Sequence, residues 1–187
     1  MKISANDIRV GMIIEYNGTL WNILKAQHIK PGKGGAFQQL EMKAVKQSTK
    51  SNVRLRAEEV VEKVDLDEED YQYLYKDGDS YVFMNGTTYE QLTLPPEVVG
   101  DHAQFLKENV TFRIRSHNGE IIDVAPPQTM EFEVIEADPV VKGQTASSSY
   151  KPAVLENNIK IMVPPHIEAG SVIVINTEDV TYLSKAK

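Results

Sequence analysis

Cysteine is absent from this 187-residue sequence. No disulfide framework, zinc-thiolate site or thiol nucleophile is therefore available, and a reducing compartment is expected. Long apolar runs are also missing. Nowhere do 18 apolar residues follow one another, so no helical membrane span is predicted. The opening MKISANDIRVGMIIEYNG has neither an apolar h-region nor a small-residue cleavage site, and a cytoplasmic protein is expected. Aromatic residues make up only 7%, too few for the exposed stacking sets of free single-strand binders. Catalytic signatures are lacking as well. Lys33 is followed by Gly34, not by the serine or threonine that a phosphate-binding loop requires. Ser147, Ser148 and Ser149 sit in a polar stretch without a nucleophile elbow. His28, His102, His117 and His166 are isolated, at no metal-ligand spacing. The acidic run Asp65–Asp70 has Asp70 where a calcium loop needs its turn glycine and Lys76 where it needs a glutamate, and it reads as a solvated linker. No enzyme, metal site or cofactor is predicted.

What is present reads as short strands. Met12–Tyr16 and Thr19–Ile29 flank Asn17-Gly18, a strong hairpin signal. Ala36–Val45 and Val53–Val64 continue the pattern, with Ser48–Asn52 turn-like between them. Tyr71–Lys76, Ser80–Met84, Val110–Arg115 and Glu120–Val124 follow, with turns at Asp77-Gly78 and His117-Asn118-Gly119. Asp101–Asn109 is the one predicted helix, with Asp101 as N-cap. Met130–Glu136 alternates strictly, residues 142–152 show no strand pattern, and Ile159–Val163, Ser171–Ile175 and Val180–Leu183 complete the set. Short strands at this spacing predict an all-β chain of three consecutive small barrels. Residues 1–64 are expected to form one barrel with a projecting, lysine-tipped hairpin, and residues 65–128 and 129–187 one further barrel each.

Charge is unevenly spread. Residues 1–60 carry 10 basic against 5 acidic side chains, residues 61–126 carry 5 against 14, and residues 127–187 carry 5 against 8. A basic first third on an acidic chain points that third toward a polyanion.

The stretch KPGKGGAF lies within the basic third. Lys30, Pro31, Gly32, Lys33, Gly34 and Gly35 separate two strand-like arms of about 30 Å. Pro31 fixes its own φ and pushes Lys30 toward extended geometry. The glycines allow a tight tip and leave no side chain to crowd Lys33. A lysine amine is a compact charge on a long stem, open to covalent extension. From the residues alone, a functional probe and a soluble hairpin loop both remain open.

KPGKG at 30–34, YLYKDGDSYVFMN at 73–85 with TYEQL at 88–92, GQTASSSYKPAVLENNIKIMVPPHIEAG at 143–170 and TYLSKAK at 181–187 resemble the bacterial elongation factor P family, in order and over the whole length. The resemblance implies an L-shaped, tRNA-like monomer of an SH3-like or KOW-like barrel, residues 1–64, followed by two OB-fold barrels, residues 65–128 and 129–187. It would bind the ribosome beside peptidyl-tRNA or initiator tRNA and relieve stalling at consecutive prolines. Lys33 would reach the CCA end of that tRNA, often lengthened by a modifying enzyme resembling lysyl-tRNA synthetase. Gly143, Gln144 and Thr145 match a loop near the exit-site codon, where the family usually has Asp for Gln144 and Gly for Ser147. Tyr182 and Lys185 match a tyrosine and an arginine taken to touch tRNA. Lys185 lacks the planar fork of arginine, which leaves a simple phosphate charge pair. A glycine typical before that tyrosine is replaced by Val180-Thr181, and the turn at Gln47-Ser48 also lacks its usual glycine. The competing reading is a generic RNA-binding protein of SH3-like and OB-like barrels, acting in RNA handling or transcription.

Overall fold

The computed structural model describes residues 1–47, 49–140 and 149–187. They pack as two compact units, residues 1–68 with 115–123 and residues 69–114 with 124–187.

In the first unit, strands β1 (Lys2–Ser4), β2 (Ile13–Tyr16), β3 (Thr19–Ile29), β4 (Phe37–Ala44), β5 (Lys50–Arg56) and β6 (Val60–Val64) form one sheet in the order β1-β6-β2-β3-β4-β5. The Asn17-Gly18 turn has φ of 51° and 74°, both positive as a two-residue hairpin turn of this hand needs. Register sets the core. Gln38 faces His28 and Leu55, Leu40 faces Ala26 and Val53, and Met42 faces Ile23 and Ser51. These inward positions meet Ile8 and Ile14, all almost fully buried.

The remaining strands are β7 (Asp67–Asp77), β8 (Ser80–Asn85), β9 (Gln91–Leu94), β10 (Thr111–His117), β11 (Glu120–Ala125), β12 (Thr129–Ala137), β13 (Lys151–Leu155), β14 (Lys160–Val163), β15 (Val172–Asn176) and β16 (Thr181–Lys185). They make two five-stranded sheets, β11-β10-β7-β8-β9 and β14-β13-β12-β15-β16. In the first of these, Phe83 is fully buried, 5.4 Å from Tyr73 and 6.2 Å from Phe112 between ring centroids. In the second, Met130, Phe132 and Val134 point inward while Glu131 and Glu133 point out, the alternation read from the sequence. The all-β expectation holds, and among the described residues no helix is long and apolar enough to cross a membrane.

Four local readings are corrected. The helix expected at Asp101–Asn109 is instead a short α-helix, Pro96–Val99, running into a 3-10 helix, Gly100–Phe105. Pro96 is set for the first helical turn, whereas Gly100 at φ 58° cannot continue an α-helix. The acidic run is no linker beyond Leu66, because β7 starts at Asp67. Its first four residues are solvent-exposed, so no apolar period marks them as strand. Lys50–Asn52, read as turn, opens β5. Lys151–Leu155 is a strand despite Pro152, which needs no ladder donor of its own and accepts at 3.3 Å from the Asp138 N–H.

Within the second unit, Glu156 joins distant segments. Its Oε1 accepts from the Glu133 N–H and from Lys107 Nζ, each at 2.9 Å. Burial alone would raise the Glu156 pKa. The Glu133 N–H and the Lys107 ammonium outweigh it and hold the carboxyl below its ordinary value. A lowered native pKa contributes stability above the unfolded-state value of about 4.3 and loses it as pH falls through the native one. Glu156→Gln should therefore lose less stability than wild type between pH 6 and pH 3, measured by urea midpoints.

The turn from β15 to β16 carries a misfit. Val180 has φ 55°, a region that strains a β-branched residue. It lies where the resemblance expects glycine nearby. Asparagine tolerates that geometry, so Val180→Asn should raise the unfolding free energy by about 1 kcal/mol, read by thermal and urea melts.

Candidate functional site

The tip between β3 and β4 is built by strand pairing on one side and by its absence on the other. Ile29 pairs with Phe37, and beyond that pair the two strands separate. The Ala36 carbonyl still accepts from the Ala57 N–H at 3.0 Å. The arms themselves are not a free ribbon, because β5 pairs with β4 from Phe37 to Lys43. What extends past the paired strands is therefore residues 30–35.

Lys30, Pro31, Gly32, Lys33, Gly34 and Gly35 are all brought together there, and all are exposed. Among the described residues, none forms an ion pair or hydrogen bond with Lys33. Gly34 has φ 106°, a conformation that only glycine adopts readily. Gly32 and Gly35 are different. Neither has a positive φ, and a Cβ added at either would meet nothing within 4 Å. Their small size is not required by packing within the chain. It keeps the tip narrow toward the outside.

Register also assembles a surface that sequence reading saw only as a sum of charge. Positions facing away from the core pair as Phe37 with Arg56, Gln39 with Arg54, Glu41 with Asn52, and Lys43 with Lys50. On the other flank, Glu41 pairs with Lys25 and Gln39 with Gln27. One outer face thus carries Lys25, Lys43, Lys50, Arg54 and Arg56 against the single carboxylate of Glu41. Lys25 Nζ lies 3.3 Å from Glu41 Oε2, while the other four cations have no carboxylate partner among the described residues. Such a face favours the phosphate backbone of a nucleic acid. The signal for part of it was legible, since KSNVRLR puts Lys50, Arg54 and Arg56 at even spacing on a strand.

The other predicted residues lie in the second unit. Tyr182 is half-buried on β16, its ring centroid 6.4 Å from that of Tyr150 at an interplanar angle of 89°. Lys185 is exposed on the same strand, opposite Ile173. Gly143, Gln144 and Thr145, with Ser147, Ser148 and the Ser48 turn position, lie outside the described residues.

Three family profiles match the sequence in order. They are described as the elongation factor P KOW-like domain over residues 4–61, the elongation factor P OB domain over residues 66–124, and the elongation factor P C-terminal region over residues 130–185. Full-length relatives named elongation factor P are similar throughout. The one from Erythrobacter litoralis is 53% identical over 186 residues, and the one from Acidiphilium cryptum is 51% identical over 187, each comparison covering 100% of both chains. Among solved structures, the eukaryotic translation initiation factor 5A from Methanococcus jannaschii aligns with a TM-score of 0.52 at 24% identity. That alignment covers 66% of this chain and 95% of that one. A translation initiation factor 5A family protein from Naegleria fowleri aligns with a TM-score of 0.51 at 15% identity, covering 67% and 97%. These two likenesses speak to fold alone. The matched profiles and the half-identical relatives speak to descent, and on them the chain belongs to the elongation factor P family of translation elongation factors.

Proposed function

We propose that the chain binds the ribosome beside peptidyl-tRNA and speeds peptide-bond formation where consecutive prolines stall it. The observation that carries this reading is a lysine with no partner among the described residues, on a glycine-walled tip, together with a basic sheet face. Proline is a rigid donor and acceptor, so reactive alignment at the ribosome is rarely visited. A slim cation that steadies the CCA end of the tRNA reduces the entropic part of that barrier. No bond is made or broken by the chain itself.

The three segments 1–64, 65–128 and 129–187 serve this role as successive domains of a monomer. The outer face of β3, β4 and β5 meets ribosomal or transfer RNA backbone. Tyr182 and Lys185 add a contact to tRNA, and Gly143, Gln144 and Thr145 lie near the exit-site codon. The exposed Lys33 amine is the substrate of a lysine-modifying enzyme resembling lysyl-tRNA synthetase, and the intact mass of the protein from its own host reads that extension directly.

The test of the reading is reconstituted translation of paired templates, one with three consecutive prolines and one with none. Adding the chain should raise full-length product from the first and leave the second unchanged. Equal effects on both, or none on either, would overturn the reading.

A further inference from the structure

Where the tip rejoins β4, an open groove of about 600 Å³ runs between Gly35, Phe37, Arg54, Arg56, Glu58 and Glu59. Arg54 Cζ lies 4.3 Å from the centroid of the Phe37 ring. The ring backs one side of the guanidinium and steadies it. The guanidinium has no hydrogen bond or carboxylate partner among the described residues, so its other side and its N–H groups remain available. Glu59 Oε1 accepts from the Arg56 backbone N–H at 3.1 Å, and the Arg56 guanidinium likewise has no partner among the described residues. A Cβ added at Gly35 would meet nothing within 4 Å, so the groove is open on the tip side.

The groove therefore combines two free guanidiniums with two carboxylates and one stacking surface. A simple polyanion satisfies the first pair and is repelled by the second. A nucleotide matches all three, because its phosphate accepts hydrogen bonds, its base edge donates them, and its flat face stacks on a guanidinium plane. We propose that this groove binds one unpaired nucleotide of an RNA. The base stacks on Arg54 with Phe37 behind it, the phosphate sits on Arg56, and base-edge N–H groups donate to Glu58 or Glu59. This deepens the ribosomal reading, on which it rests for the source of the RNA. The site begins at Gly35, two residues along the chain from Lys33, so an anchored nucleotide would limit the directions in which the tip points.

The experiment is an NMR titration of the full chain with a single-stranded hexaribonucleotide of mixed sequence, and separately with inorganic polyphosphate of matched charge. The oligonucleotide should shift Gly35, Phe37 and the Arg54 side-chain N–H. Arg54→Ala and Arg54→Lys should each weaken it by about tenfold, since lysine keeps the charge but not the plane. Polyphosphate should bind weakly and be indifferent to Arg54→Lys. Wild-type oligonucleotide affinity in Arg54→Lys, equal competition by polyphosphate, or the absence of shifts at the three residues would each overturn the proposal. The readout contains no ribosome and no stalled peptide. A failed ribosomal reading and a failed groove therefore give different results.

Discussion

Lys33→Ala should return translation of a triproline template to the level seen without the factor, while the unfolding midpoint stays at the wild-type value. Both halves follow from the same geometry. The amine has no partner among the described residues, and the loop that carries it ends where strand pairing ends. Removing it deletes no ion pair or hydrogen bond among the described residues, and an exposed substitution of that kind changes stability by less than about 0.5 kcal/mol. Function is another matter, because the proposed mechanism has no second group at the tip. Lys33→Arg separates charge from amine. It keeps the cation but offers a wider head and no primary amine for extension. Partial rescue by Lys33→Arg would assign the effect chiefly to charge, and none would assign it to the slim, extendable amine. Wild-type rescue by Lys33→Ala with a normal melt would remove Lys33 from the mechanism.

The second large effect is structural. Phe83 is fully buried between Tyr73 and Phe112, and truncating such a ring leaves a cavity that close-packed neighbours fill only in part. Phe83→Ala should cost about 3–5 kcal/mol, a large share of a typical domain's total stability. The melt of the unit that holds it should fall by roughly 10–20 °C. The two variants then fail in different ways. Phe83→Ala should support triproline translation at 15 °C and lose it on warming, in step with its circular-dichroism melt. Lys33→Ala should be inactive at both temperatures. A Phe83→Ala protein that melts like wild type would mean the cluster contributes little.

Much of the fold was legible because turn chemistry and alternation carry it. Asn17-Gly18 and Asn118-Gly119 both take the positive φ pairs their sequence predicts. Met130 to Val134 alternate in burial as written. Legibility failed where local pattern and tertiary placement part company. Asp67 to Asp70 form strand with solvent on them, and no hydrophobic period exists to show it. Pro152 disguises β13, although its missing donor is tolerated there. Gly100 turns a predicted helix into a 3-10 segment that ends at Phe105. At the candidate site, the exposed turn was readable from KPGKG between two strand-like arms, while a functional probe and a soluble loop both stayed open. The basic face behind it was not, because knowing that Arg54 lies beside Gln39 and over Phe37 requires the register of β4 against β5. Composition reports that the first third is basic. Only pairing reports that five of its cations share one side.

The central claim is that the Lys33 amine, on a narrow turn, is delivered to the reacting end of peptidyl-tRNA. The most direct measurement is the structure of the chain bound to a ribosome stalled on consecutive prolines. The account predicts the 30–35 turn beside the CCA end, with the Lys33 side chain in contact with it and the β3–β4–β5 face against RNA. A bound state with that turn in solvent, or with another edge of the first unit facing the tRNA end, would contradict it.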